Sequence, residues 1–129
     1  MKTLLFGTTL LLFVMCSAHQ ARAHDLKMVI ADCHQNELRC KQQYKDQRLA
    51  FEVKFGSASE VKDFDGKTDI EVHFLTGDEW LSLHCRGVRS EQALKYNRGD
   101  AVTLTGTMYM FTRYIADLSG SLGLENCEF

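Results

Sequence analysis

From residue 49 the chain alternates apolar and polar positions with a period of two. Leu49, Phe51, Val53 and Phe55 interleave with Ala50, Glu52 and Lys54, the pattern of a half-buried strand. Gly56 to Asp65 reads as the end of that strand and a loop closing at Asp65-Gly66. Ile70, Val72 and Phe74 then alternate with Asp69, Glu71 and His73. Leu81, Leu83 and Cys85 alternate with Trp80, Ser82, His84 and Arg86. These two stretches flank Gly77-Asp78, which predicts a hairpin with a two-residue loop. The register that follows sets Phe74 against Leu81, Val72 against Leu83 and Ile70 against Cys85. On the other face it sets His73 against Ser82, Glu71 against His84 and Asp69 against Arg86. A one-residue slip would turn both apolar sets outward.

Residues 24–47 read as partly helical. Either Asp32 with Gln35, or Asn36 before Glu37, caps a helix running through Leu38 to about Tyr44. After the third strand, Ser90 to Tyr96 suits a short helix capped by Ser90, and Arg98-Gly99-Asp100 suits a turn. Val102, Leu104, Gly106, Met108 and Met110 form one face of a fourth strand. Thr103, Thr105, Thr107 and Tyr109 form its other face. Ser119-Gly120-Ser121 precedes a last strand near Leu124 to Phe129. A helix, three strands, a short helix and two strands is the connectivity of the OB-fold, a mainly β, five-stranded Greek-key barrel. Another small β-rich barrel or sandwich is the alternative.

The first 23 residues change the setting. Lys2, the apolar run Leu4 to Met15 and the small-x-small Ala21-Arg22-Ala23 predict a secretory signal peptide cleaved before His24. A cut after Ala18 is the alternative. Cys16 suggests a lipoprotein, but Met15 stands where lipid attachment wants a small residue. The apolar run is too short for a permanent anchor. The expected organisation is therefore a leader at 1–23, a helical segment at 24–47 and a barrel at 48–129. Loss of Lys2 and Arg22 with the leader takes the net charge from −2 to −4. That sign disfavours general binding to phosphate backbones or anionic membranes. The remaining Cys33, Cys40, Cys85 and Cys127 suggest two disulfides in an exported chain, with three connectivities open.

Three stretches carry a resemblance to a known family. They are Asn36-Glu37-Leu38-Arg39-Cys40-Lys41-Gln42-Gln43-Tyr44, Gly99-Asp100-Ala101-Val102-Thr103-Leu104-Thr105-Gly106 and Leu124-Glu125-Asn126-Cys127-Glu128-Phe129. Over residues 32–129 the chain resembles the tRNA-anti-like OB-fold proteins, small exported bacterial domains. The resemblance implies the barrel and no catalytic motif. The family differs in often carrying a glycine in strand one, where this chain has Glu52-Val53-Lys54, and an alanine at Cys40. It also has a Lys-Gly-Lys-like turn where this chain has Lys45-Asp46-Gln47.

In an OB barrel, strand three lies beside strand five, which favours pairing Cys85 with Cys127. Two buried free thiols are the alternative. Cys33 and Cys40 would stand about 10.5 Å apart along a continuous helix, too far for a bridge. Either the helix begins after Cys33 and the chain folds back at Asn36, or the two are not partners.

OB-folds usually hold ligands on the outer face of strands two and three. Here that face offers Glu71, His73, Trp80, Ser82, His84 and Arg86. An aromatic among polar groups suits stacking on a base or sugar. A solvated face of cross-strand charge pairs is the plainer reading for small ligands, and a protein contact suits Trp and Arg better. Three metal readings are weaker. His24 at a new amino terminus suits copper, but no second histidine is placed beside it. Cys33, His34 and Cys40 lack zinc spacing. Asp63, Asp65 and Asp69 lack calcium-loop spacing. No nucleophile elbow, phosphate loop or dinucleotide fingerprint occurs. The expectation is an exported, non-catalytic OB-fold binding module without a cofactor, working on a protein partner in the periplasm. The alternatives are an oligosaccharide or single-stranded nucleic acid on the strand two–three face, and inhibition of, or immunity to, a secreted enzyme or toxin.

Overall fold

The computed structural model describes residues 23–44, 46–114 and 119–129; the expected leader, with Cys16, lies outside them apart from Ala23. Two helices, α1 (Leu26–Gln35) and α2 (Glu37–Tyr44), precede β1 (Arg48–Lys62), β2 (Thr68–Leu75) and β3 (Leu81–Arg86). A short α3 (Ser90–Ala93) leads to β4 (Ala101–Arg113) and β5 (Gly120–Glu128). The strands close in the order β1-β2-β3-β5-β4, with β3 and β5 parallel and every other pair antiparallel. This is the expected five-stranded OB-like barrel, with its short helix between the third and fourth strands.

Strand β1 serves two partners. Arg48–Lys54 pairs with β4 and Lys54–Lys62 with β2. It therefore runs well past Gly56, where the sequence suggested its end. The change of direction falls where the register shifts, between Phe55 and Ser57. A Cβ on Gly56 would stand 2.5 Å from the His73 carbonyl oxygen, so only glycine lets the strands approach there. The expected loop shrinks to Asp63–Lys67, where Asp63 Oδ1 accepts from the N–H groups of Asp65 and Lys67.

The β2–β3 hairpin differs from expectation. Phe74 pairs with Leu83, Val72 with Cys85, His73 with His84 and Glu71 with Arg86. Each partner lies two residues beyond the expected one. An even slip keeps the apolar faces inward, so alternation alone does not resolve it. The loop chemistry does. The Thr76 hydroxyl lies 2.9 Å from the Leu81 carbonyl oxygen and accepts from the Asp78 N–H at 3.2 Å, while Asp78 Oδ1 accepts from the Trp80 N–H. These bonds hold Thr76–Trp80 as a longer loop in place of a Gly77-Asp78 turn.

Two further boundaries move. The register of β4 against β5 shifts between Met108 and Met110. Tyr109 and Met110 both face outward as a result, and Phe111 turns in. Met110 thus does not share a face with Val102, Leu104 and Met108, as the alternation suggested. Strand β5 begins at Gly120, ahead of the expected Leu124. Helix α3 is shorter than Ser90–Tyr96, and its N-cap position is Arg89, without a side-chain cap, in place of Ser90.

The core is the barrel interior: Leu49, Phe51, Val72, Leu83, Leu104, Leu122 and Leu124 are at most 1% exposed. Helix α1 joins it through Val29, Ile30 and Cys33. Asp25 caps α1 by accepting from the Lys27 N–H, and Asn36 ends it. The Asn36 side chain then accepts from the Arg39 N–H in α2. That break brings the Cys33 and Cys40 Cα atoms to 4.8 Å in a disulfide. Fold-back at Asn36 is therefore realised, but Cys33 lies inside a first helix and not ahead of a single one. Cys85 and Cys127 form the second disulfide, between β3 and β5.

Candidate binding face

The outer surface of β2, β3 and β5, with the bulge of β4, carries a connected set of polar and aromatic side chains. Alternation on β2 turns Glu71 and His73 outward, and on β3 it turns Ser82, His84 and Arg86 the same way. The observed register sets His73 directly across from His84, and their rings stack at 5.6 Å and 28°. His73 Nε2 lies 2.8 Å from Glu71 Oε1. His84 Nε2 lies 2.8 Å from the Tyr109 hydroxyl, and the two rings meet edge to face. The Arg86 guanidinium sits 3.7 Å above the Tyr109 ring and donates to Glu125 Oε2 at 2.8 Å.

The backbone beneath makes room for this arrangement. Gly123 of β5 lies under the two rings. A Cβ there would stand 2.8 Å from the Tyr109 ring and 2.9 Å from His84 Nε2. His84 is 6% exposed, and its Nδ1 lies 3.5 Å from the buried Ser121 hydroxyl. Burial and the positive charges of His73 and Arg86 hold the His84 ring below its ordinary histidine range. Burial is the largest influence, and Glu71 pulls the other way. Burial also pushes the Tyr109 hydroxyl up, against the pull of Arg86. The Arg86–Glu125 hydrogen bond pushes the guanidinium up.

Of the six residues expected on this face, Glu71, His73, His84 and Arg86 join one cluster. Ser82 stands beside them on β3. Trp80 stands apart in the β2–β3 loop, 56% exposed, with its carbonyl accepting from the Gly120 N–H. The sequence reading missed Tyr109, Gly123, Ser121 and Glu125 as members. The parity of Tyr109 was legible. The other three required the parallel β3–β5 register, in which His84 pairs with Gly123.

A groove of about 560 Å³ adjoins the cluster, lined among others by Leu38, Lys41, Met108, Met110 and Glu125. Leu38 is 68% and Met110 39% exposed. Tyr109 and Glu125 line this groove and also belong to the cluster, so the two surfaces are continuous.

The metal readings find no support in the geometry. His24 is committed to β1: its backbone N–H donates to the Ala50 carbonyl, and its Nδ1 accepts from the Ala50 N–H. Cys33 and Cys40 are bonded to each other, and His34 Nε2 lies 2.5 Å from the Ser119 carbonyl oxygen. The Asp63 carboxylate is taken by backbone N–H groups of its own loop. Among the described residues, no group of three or more His, Cys, Asp or Glu side chains is placed to hold a metal ion.

No protein-family model matches the chain, and no curated protein matches it. Among solved structures, the chain is similar to a Klebsiella pneumoniae protein called a "putative nucleic acid-binding lipoprotein". The TM-score is 0.62 at 10% sequence identity, over 83% of this chain and 89% of that one. A likeness at that identity concerns the fold alone: both chains share the small barrel architecture.

Proposed function

We propose that this chain is an exported, disulfide-stapled binding module of the tRNA-anti-like kind, and that it engages a protein partner through the outer face of β2, β3 and β5. The observation that carries the reading is the continuity of the Arg86–Tyr109 cluster with the groove bearing Leu38 and Met110. Tyr, Arg and Met are enriched in protein interfaces, and polar groups beside exposed apolar ones are their usual arrangement. Export is supported by the leader-like residues 1–23 and by two disulfides, which persist in oxidising compartments. Among the described residues no helix is long and apolar enough to cross a membrane.

A nucleic-acid reading has one support, the name of the Klebsiella structure. The charges count against it. Arg86 is already paired with Glu125, His73 with Glu71, and the chain is net acidic. A phosphate track needs unpaired cations in a row. Capture experiments from oxidised envelope extract test the choice, using the folded protein and its Trp80→Ala and Met110→Asp variants as baits. One stoichiometric protein lost with Met110→Asp is the expected outcome. Salt-sensitive binding of single-stranded oligonucleotides, weakened by Trp80→Ala, would overturn it in favour of the nucleic-acid reading.

A further inference from the structure

We propose that His84 is an acid-sensitive latch: protonating its buried ring weakens the stacked and hydrogen-bonded set that ties β2, β3, β4 and β5 together on the outer face. The latch goes beyond the binding reading and does not depend on what the face binds.

The surroundings favour a neutral ring. His84 is 6% exposed and stacks on His73 at 5.6 Å. Its two nitrogens face two hydroxyls, Tyr109 at 2.8 Å and Ser121 at 3.5 Å. A neutral imidazole has one donor and one acceptor nitrogen, and a hydroxyl can answer either. A protonated ring has two donors, so Tyr109 and Ser121 must both accept and send their protons elsewhere. Gly123 lies so close beneath that the ring has no room to sink toward the backbone.

The charged neighbours on every packed strand are accounted for. On β2, Glu71 is paired with His73 at 2.8 Å, and Asp69 accepts from the N–H groups of Ile70 and Gly87. On β3, Arg86 reaches over Tyr109 of β4, whose ring lies 5.9 Å from that of His84. On β5, Glu125 is held by Arg86. Of these carboxylates Glu125 is neutralised by Arg86, while Arg86 and a protonated His73 would oppose a second positive ring. Glu71 favours the charge, but burial outweighs it and holds the ring below 6.5.

The sign follows from linkage. Below 6.5 the unfolded chain takes up this proton before the folded one does. The stabilisation is full above that value and is lost as pH falls through the lower, folded value.

The test is an imidazole NMR titration of the oxidised protein from about pH 8 to about pH 5, the span in which histidines titrate. The expected result is a His84 midpoint below 6.5, with the Tyr109 ring signals moving in step with it. His73→Gln, which removes the stacked like charge and frees Glu71, raises that midpoint and leaves the fold intact. A second readout is the apparent Tm, which falls more steeply on acidification in the wild type than in His84→Asn. Should His84→Asn not fold, the His73→Gln shift decides alone. A His84 midpoint at or above 6.5, Tyr109 signals that ignore it, or an unmoved midpoint in His73→Gln overturns the latch.

Discussion

Gly123 and Tyr44 show how single positions set this molecule's limits. The Gly123 backbone supports the His84 and Tyr109 rings with less than 3 Å to spare for a Cβ. Gly123→Ala must push two packed rings aside, and overpacking of that kind costs about 1–3 kcal/mol. Urea denaturation measures it, and loss of the His84–Tyr109 contact should accompany it. Tyr44 is buried at the end of α2, and its hydroxyl donates to Asp32 Oδ2 at 2.7 Å. Burial, with the Asp32 hydrogen bond and charge, pushes its ionisation up to about 12. A phenol raised above its ordinary value stabilises the fold below about 10 and loses that contribution as pH climbs through about 12. An alkaline absorbance titration should therefore show one tyrosine ionising last, together with unfolding. Tyr44→Phe should remove that step and cost about 1–2 kcal/mol by orphaning Asp32.

At the scale of elements, the disulfides bear most directly on how the barrel is held. Cys85 and Cys127 are 42 residues apart in sequence and join the parallel strands β3 and β5. Replacing both by Ala should lower stability by about 2–4 kcal/mol, as expected for a bridge closing a long loop. Differential scanning calorimetry on the oxidised wild type and the oxidised Cys85→Ala, Cys127→Ala double variant, which keeps the Cys33–Cys40 bridge, reads the difference. The order of the strands, the place of α3 and most inward faces were legible in the sequence, because they are local patterns, whereas the separate helix α1 was not. Pairing in β2–β3 was not. Gly77-Asp78 looks like a complete turn, yet the hydroxyl of Thr76 and the carboxylate of Asp78 organise a longer loop. The stacked His73–His84 pair follows from that two-residue difference. The bulge at Tyr109 was equally hidden, since Met108 and Met110 continue an unbroken apolar alternation in the sequence. Thr76→Val should weaken the hairpin by about 0.5–1.5 kcal/mol for each of the hydroxyl's hydrogen bonds that is lost. Faster amide exchange confined to residues 75–82 would show it.

For the whole molecule, closure pairs the strands into a continuous barrel, so the proposed recognition falls to side-chain surfaces. One of those surfaces joins a cation–aromatic cluster to a groove bearing the exposed Leu38 and Met110. It is also where the buried His84 sits, so binding and acid response would share one wall of the barrel. The measurement that tests this account most directly is chemical-shift mapping of the labelled, oxidised protein against the captured partner. The account predicts shifts concentrated at Leu38, Arg86, Tyr109, Met110 and Glu125, with affinity lost in Met110→Asp while the fold persists. Shifts centred on α3 or the Asp63–Lys67 loop, with this wall unperturbed, would contradict it.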